Sequence, residues 1–101
     1  GRCADFVLKD RDDVLDVFVY ASMDNRIERV TKMYGEQVKN VPAFINRYDK
    51  DRAAYYDYYT SKKWGDLRSY HLSLNSDMGI KNCVEIVKTA YKEWRDGVHL
   101  V

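Results

Sequence analysis

The run Val14-Leu15-Asp16-Val17-Phe18-Val19-Tyr20-Ala21 constrains this chain more than any other feature. It is apolar almost throughout and rich in β-branched residues. Such a run, without polar alternation, fits a strand covered on both faces, as in a parallel sheet. A strand of that kind belongs inside a sheet, because an open apolar edge invites pairing with other chains.

The flanking sequence supplies the covering elements. Ser22 is a fitting N-cap, and Met23, Ile27, Val30 and Tyr34 recur at helical spacing until Gly35 ends the pattern. Residues 36–41 form a polar link. Pro42 suits the first turn of a second helix, whose stripe is Phe44, Ile45, Tyr48, Tyr55, Tyr56 and Tyr59. Residues 60–69 read as a loop turning at Gly65-Asp66, and residues 70–74 as a second short strand. From about Ile80 the residues Cys83, Val84, Val87, Ala90, Tyr91 and Trp94 mark an amphipathic helix closed by Gly97. The order predicts an α/β fold with one long crossover between parallel strands. Two parallel strands are not an independent sheet. Further strands are therefore expected from sequence beyond these 101 residues, or from another subunit along the strand edge.

Composition narrows the partners. One domain at most fits this length. Seventeen basic residues nearly cancel sixteen acidic ones, so no general case exists for nucleic acid. No apolar run is long enough to span a bilayer and none reads as a signal peptide. Cys3 and Cys83 form neither a disulfide framework nor a metal spacing, and Cys83 lies on an apolar helical stripe as a small buried thiol. A reducing, cytoplasmic setting is the expectation. Gly1-Arg2-Cys3-Ala4-Asp5 reads as an interior cut rather than a natural start.

The chemistry-bearing residues cluster between the two strands. Arg52 shares a helical stripe with Tyr48, Tyr55 and Tyr59, and an arginine inside an aromatic face must find an anion or a ring. Asp49 lies one turn away and can orient it, so an internal salt bridge is the competing reading. Arg26 and Arg29 share one flank of the first helix at a spacing of three. They would be surface charges paired to Asp24 or Glu28, or cations aimed at a ligand. Lys62 and Lys63 precede Trp64-Gly65-Asp66 in the loop, where two lysines attract phosphate or are simply solvated, and Trp64 anchors the loop. His71 reads as a structural histidine. Asn75 ends the second strand, where open α/β sheets place ligands, although capping the next turn would equally explain it. No Gly-x-x-x-x-Gly-Lys-Ser/Thr phosphate loop occurs anywhere in the chain.

At these residues the chain resembles the cytidylate kinase-like family of P-loop nucleoside monophosphate kinases. The resemblance rests on Gly1-Arg2-Cys3-Ala4-Asp5, the strand ending Tyr20-Ala21-Ser22, and Arg26-Ile27-Glu28-Arg29-Val30. It continues through Asp49-x-x-Arg52-x-x-Tyr55-Tyr56, Lys62-Lys63-Trp64-Gly65-Asp66, Tyr70-His71-Leu72-Ser73-Leu74-Asn75-Ser76 and Gly79-Ile80. It covers nearly the whole chain but only the C-terminal half of such a kinase, with the P-loop half absent. The resemblance implies a partial P-loop kinase-type three-layer fold with a helical lid over about residues 36–68.

It also implies roles. The complete enzyme would move the γ-phosphoryl of ATP, with Mg²⁺, onto a nucleoside monophosphate such as CMP or dCMP. Arg52 and Arg47 would stabilise phosphate charge, Asp49 would orient the guanidinium, and Arg2 would bind the monophosphate. Arg26 and Arg29 would lie against the ATP base and phosphates, and Asn75 would approach the base through its backbone. Asp5 is expected at a turn or cap. ATP and Mg²⁺ would be held mostly by the absent half, so this chain alone is expected to be inactive. The rival reading is a non-catalytic half-domain that assembles through its exposed strand edge.

Overall fold

The computed structural model describes residues 3–97; Arg2 lies outside them, as does His99. A short helix α1 (Ala4–Val7) leads into strand β1 (Val17–Tyr20), helix α2 (Met23–Tyr34), helix α3 (Val41–Thr60), strand β2 (Leu72–Asn75) and helix α4 (Ile80–Arg95). The two strands are parallel, with Val17 opposite Leu72, Phe18 opposite Ser73, Val19 opposite Leu74 and Tyr20 opposite Asn75. Helices α2 and α3 form the crossover between them. This is a mixed fold of two parallel strands with flanking helices, a partial α/β kinase-like architecture as the residues imply.

Local chemistry sets the boundaries. The Ser22 hydroxyl accepts the Asn25 amide at 3.3 Å, so α2 starts where its cap requires. Gly35 ends it at φ +57°, a left-handed setting that glycine tolerates. Asn40, unremarked in the sequence pattern, caps α3 by accepting the Ala43 amide at 3.2 Å, with Pro42 in the first turn. Strand β1 starts later than its apolar run. The Asp16 carbonyl accepts the amides of His71 and Leu72, and the Asp16 amide donates to His71 Nδ1 at 2.9 Å. Those bonds use up the backbone just ahead of the ladder.

Burial departs from expectation at two places. β1 was expected to be covered on both faces, yet Val19 is 57% and Tyr20 46% exposed. β1 has a partner on one edge only among the described residues, so its outer half keeps the open edge that the sequence predicts for a two-stranded sheet. The aromatic stripe of α3 also divides. Ile45, Tyr56 and Thr60 are buried, whereas Tyr48, Tyr55, Tyr58 and Tyr59 stay exposed; Tyr48 stacks on Phe44, and Tyr59 meets both Tyr55, at 4.6 Å between rings, and Tyr58. Cys83 is half-buried rather than fully buried, its Sγ 3.9 Å from the Asn75 carbonyl. The radius of gyration of 15.8 Å exceeds the about 13 Å of a compact chain this long. Among the described residues Ile45, Tyr56 and Leu74 are the buried apolar ones, a small core for such a length. No helix among the described residues is long and apolar enough to cross a membrane.

Candidate functional site

A cavity of about 660 Å³ follows β1. Successive residues from Asp16 to Ala21 line it, so it runs along the strand rather than over one face. Past the strand's C-terminal end its walls turn cationic, with Arg26 and Arg29 from α2, Asp49 and Arg52 from α3, and Ser76 just after β2. This is the end of a parallel sheet at which α/β proteins gather ligands, because the crossovers open a crevice there.

One carboxylate organises this end. Asp49 Oδ2 accepts Arg26 Nη2 at 2.5 Å and Asp49 Oδ1 accepts Arg52 Nη2 at 2.5 Å. The three side chains are only 25–35% exposed, so the pairing is partly shielded from solvent. Burial alone would raise the Asp49 carboxyl, but the hydrogen bonds and charges of Arg26 and Arg52 outweigh it and hold it below the usual carboxylate range. Two cations against one anion leave a surplus positive charge. Arg29 adds another, donating to the Ser76 hydroxyl at 3.1 Å.

Arg52 is held by more than its carboxylate. Its guanidinium lies 5.1 Å from the Tyr48 ring centroid and 4.7 Å from the Trp64 ring centroid. Its Nε is buried and has no hydrogen-bond partner. Trp64 in turn sets its edge on Phe18 of β1, with centroids 5.6 Å apart. Beneath this group Tyr56, almost fully buried, donates its phenol to Asp5 Oδ2 at 2.7 Å. Burial first, then that carboxylate, push the Tyr56 phenol far above its ordinary value.

The sequence-derived candidates therefore separate. Arg26, Arg29, Asp49 and Arg52 meet in one place. Arg26 and Arg29 are not the locally paired surface charges that Asp24 or Glu28 would have made them; their partners lie on α3 and after β2. Arg47 is exposed and outside the cavity lining. It precedes Asp49 by two residues on α3, which turns it to another side of the helix. The Asn75 side chain caps the next turn, accepting the Asp77 amide at 2.9 Å, which leaves the expected approach through its backbone untouched, and the residue does not line the cavity. Arg2 falls outside the described residues. Asp5 is no cap: it is the acceptor of the Tyr56 hydrogen bond.

Two contributions were not foreseen. Asp77 accepts the Ser22 amide at 3.1 and 3.2 Å, tying the end of β2 to the start of α2. Hydrogen bonds from Asn25 and Ser22, with the Arg29 charge, hold its carboxyl below the ordinary range. The Ser76 hydroxyl that holds Arg29 is the other. Both sit in an ordinary-looking Asn-Ser-Asp turn, where only the strand pairing reveals the neighbours.

A second cavity of about 440 Å³ lies at the opposite, N-terminal end of the strands, with Asp16, His71, Trp94, Lys62, Arg11 and Arg68 among its walls. His71 is satisfied structurally: Nδ1 accepts the Asp16 amide, and the ring lies 4.2 Å from that of Trp94. Lys62 lines this cavity and not the first.

These features define a class, a partial parallel α/β fold of the kinase type with a cationic cluster at the C-terminal strand ends. The chain belongs to the cytidylate kinase-like family, whose profile matches residues 1–78. Its fold is similar to that in the crystal structure of an uncharacterized protein from Eubacterium ventriosum, at 25% sequence identity and a TM-score of 0.84. The likeness covers 92% of this chain and 52% of the other, so this chain spans about half the length of that structure. No curated protein matches it.

Proposed function

We propose that this chain is the phosphate-clamping half of a nucleoside monophosphate kinase that moves the γ-phosphoryl of ATP to CMP or dCMP. The observation that carries the reading is the convergence of Arg26 and Arg52 on the single carboxylate of Asp49, with Arg29 beside them. Partly buried guanidiniums in surplus over their carboxylate favour an incoming polyanion. Phosphoryl transfer needs little else from this side, because catalysis consists largely of positioning and of neutralising charge spread over the phosphoryl oxygens.

In this reading Arg52 reaches the transferred phosphoryl and Asp49 keeps it aimed until the anion arrives. Arg26 and Arg29 meet the ATP phosphates, Arg2 meets the acceptor, and Arg47 enters only if α3 shifts. A third strand beside β1 would fill the strand-long part of the cavity and leave the cationic end as the anion site. Two of the carboxylates lining the cavity do not suit Mg²⁺: both Asp49 oxygens carry guanidiniums, and Asp5 accepts from Tyr56. Mg²⁺ and most contacts to ATP therefore belong to the segment or subunit along β1.

Coupled assays of ADP release by the full-length protein, offered CMP, dCMP, UMP and AMP, test the reading. ADP formation that depends on one of these acceptors supports it. ATP hydrolysis no faster with an acceptor than without one defeats it. A second reading rests on the exposed Val19 and Tyr20: a non-catalytic module that assembles through the β1 edge. Concentration-dependent self-association by native mass spectrometry, without acceptor-dependent ADP release, would favour that alternative.

A further inference from the structure

We infer that Trp64 is the positioning residue for Arg52, fixing the plane of its guanidinium against the sheet. The inference rests on the kinase reading for its consequence in turnover, but its geometry stands independently.

Arg52 has a hydrogen bond to Asp49 through Nη2, while its Nε is buried without one. A single bond at one corner leaves a planar fork free to rotate about that contact. Aromatic faces within about 6 Å remove that freedom and add their own attraction. Tyr48 and Trp64 supply them at 5.1 and 4.7 Å. Tyr48 and Asp49 ride on α3 with Arg52 and would move with it. Trp64 does not, because it comes from the turn beyond the helix.

Trp64 is itself anchored twice. Its amide donates to Asp57 Oδ1 at 3.0 Å, which folds the turn back onto α3. Its ring meets Phe18, which lies 5.0 Å from Tyr70 just ahead of β2. The chain after α3 can fold back this tightly because Ser61 and Gly65 both take positive φ, +56° and +82°. A Cβ at Gly65 would meet Phe18 only in ordinary contact, at 3.8 Å, so it is the backbone conformation that calls for glycine there. The row Arg52, Trp64, Phe18, Tyr70 therefore refers the arginine head to the strands, where the reacting phosphates would sit.

Three variants of the full-length protein test this: Trp64→Leu, Trp64→Phe and Arg52→Ala. Trp64→Leu keeps an apolar side chain, though a smaller one, and loses the π face, while Trp64→Phe restores a π face that is also smaller than the indole. Trp64→Leu is expected to lower kcat about tenfold, with the acceptor KM moving much less. Trp64→Phe should recover most of the loss, and Trp64→Leu added to Arg52→Ala should cost little more than Arg52→Ala alone. Nitrogen-15 spectra of the arginine side chains give a readout free of activity. The Arg52 Nε–H signal should be ring-shifted upfield of the other arginines, keep that shift in Trp64→Phe and lose it in Trp64→Leu.

Equal losses in Trp64→Phe and Trp64→Leu would reduce Trp64 to packing and overturn the inference, as would an Arg52 signal indifferent to both. A full-length protein that transfers no phosphoryl group would defeat the kinase reading alone. The arginine spectra then decide the positioning role by themselves.

Discussion

The two ends of this short sheet both gather charged residues and use them in different ways. At the N-terminal end, Arg11 pairs with Asp13 and Arg68 with Asp66, each two residues away in sequence, and both guanidiniums stand well out in water although the Asp66 carboxylate itself is half-buried. At the C-terminal end, Arg26 reaches 23 residues along the chain to Asp49, and Arg29 reaches 47 to Ser76. Local pairs satisfy themselves wherever the chain goes. The long-range bonds exist only when the fold closes; the one from Arg26 brings a second, partly shielded guanidinium to the carboxylate that already holds Arg52 from one turn along the same helix, and partial desolvation is the state in which a guanidinium grips an anion hardest. Charge density along a sequence therefore says little; the sequence distance between partners and their shielding say more.

The sharpest way to break this contrast is Arg52→Ala in the full-length protein. It is expected to lower kcat by at least about a hundredfold, while the melting temperature moves little, because the substitution also removes the orphaned Nε. Turnover within twofold of the parent would remove Arg52 from the mechanism and erase the functional difference between the two ends.

Asp49→Asn comes next and reads out stability. It leaves two cations facing each other, at a cost of about 2 kcal/mol at neutral pH. The pH dependence carries the sign. Asp49 ionises more readily when folded than when unfolded. Its contribution is thus complete above the ordinary aspartate value, about 3.9, and is lost as pH falls through the lower folded value. Denaturant melts at neutral and acid pH should show the gap between parent and variant closing toward pH 2. Pyrophosphate should stabilise the variant more than the parent, since it replaces the missing anion. A gap that is constant with pH would mean that the carboxylate charge is not what holds the arginines.

Much of this was legible in the sequence, for definite reasons. Ser22 and Gly35 fixed α2 because caps act locally, and the β-branched apolar run placed β1, although the two-faced burial that it predicts is absent at Val19 and Tyr20. Arg52 stood out because a cation within an aromatic stripe demands a partner. The Arg26–Asp49 bond was not legible, since nothing within one helix says which other helix it packs against. Arg47 and Asn75 failed to join the site for a related reason. Arg47 sits at the wrong angle on α3, and the Asn75 side chain found a nearer donor in the Asp77 amide. The family resemblance named residues whose convergence only the crossover could reveal.

His71 sharpens the comparison from the other end. Its Nδ1 accepts the Asp16 amide and its ring rests on Trp94. His71→Ala orphans that amide and is expected to cost about 1 kcal/mol of stability, with kcat unchanged within about twofold. A large fall in turnover without destabilisation would make the N-terminal cavity part of the chemistry.

The smallest effect should come from Arg68→Ala. Arg68 is 90% exposed, and its bond to the Asp66 carboxylate at 3.0 Å holds that carboxyl below its usual range, through the hydrogen bond first. Water screens such a pair, and ordering a long side chain offsets most of what the attraction gains. The Asp66 side chain also accepts the Arg68 amide at 3.1 Å, a bond that survives truncation to alanine. The expected change in stability is the smallest of the series, close to none, with no change in turnover. Denaturant midpoints at low and moderate salt check it, because any residual contribution should shrink as salt rises. A loss matching that of Asp49→Asn would show that sequence separation and shielding do not rank these ion pairs, and the contrast between the two ends would have to rest on the catalytic results alone.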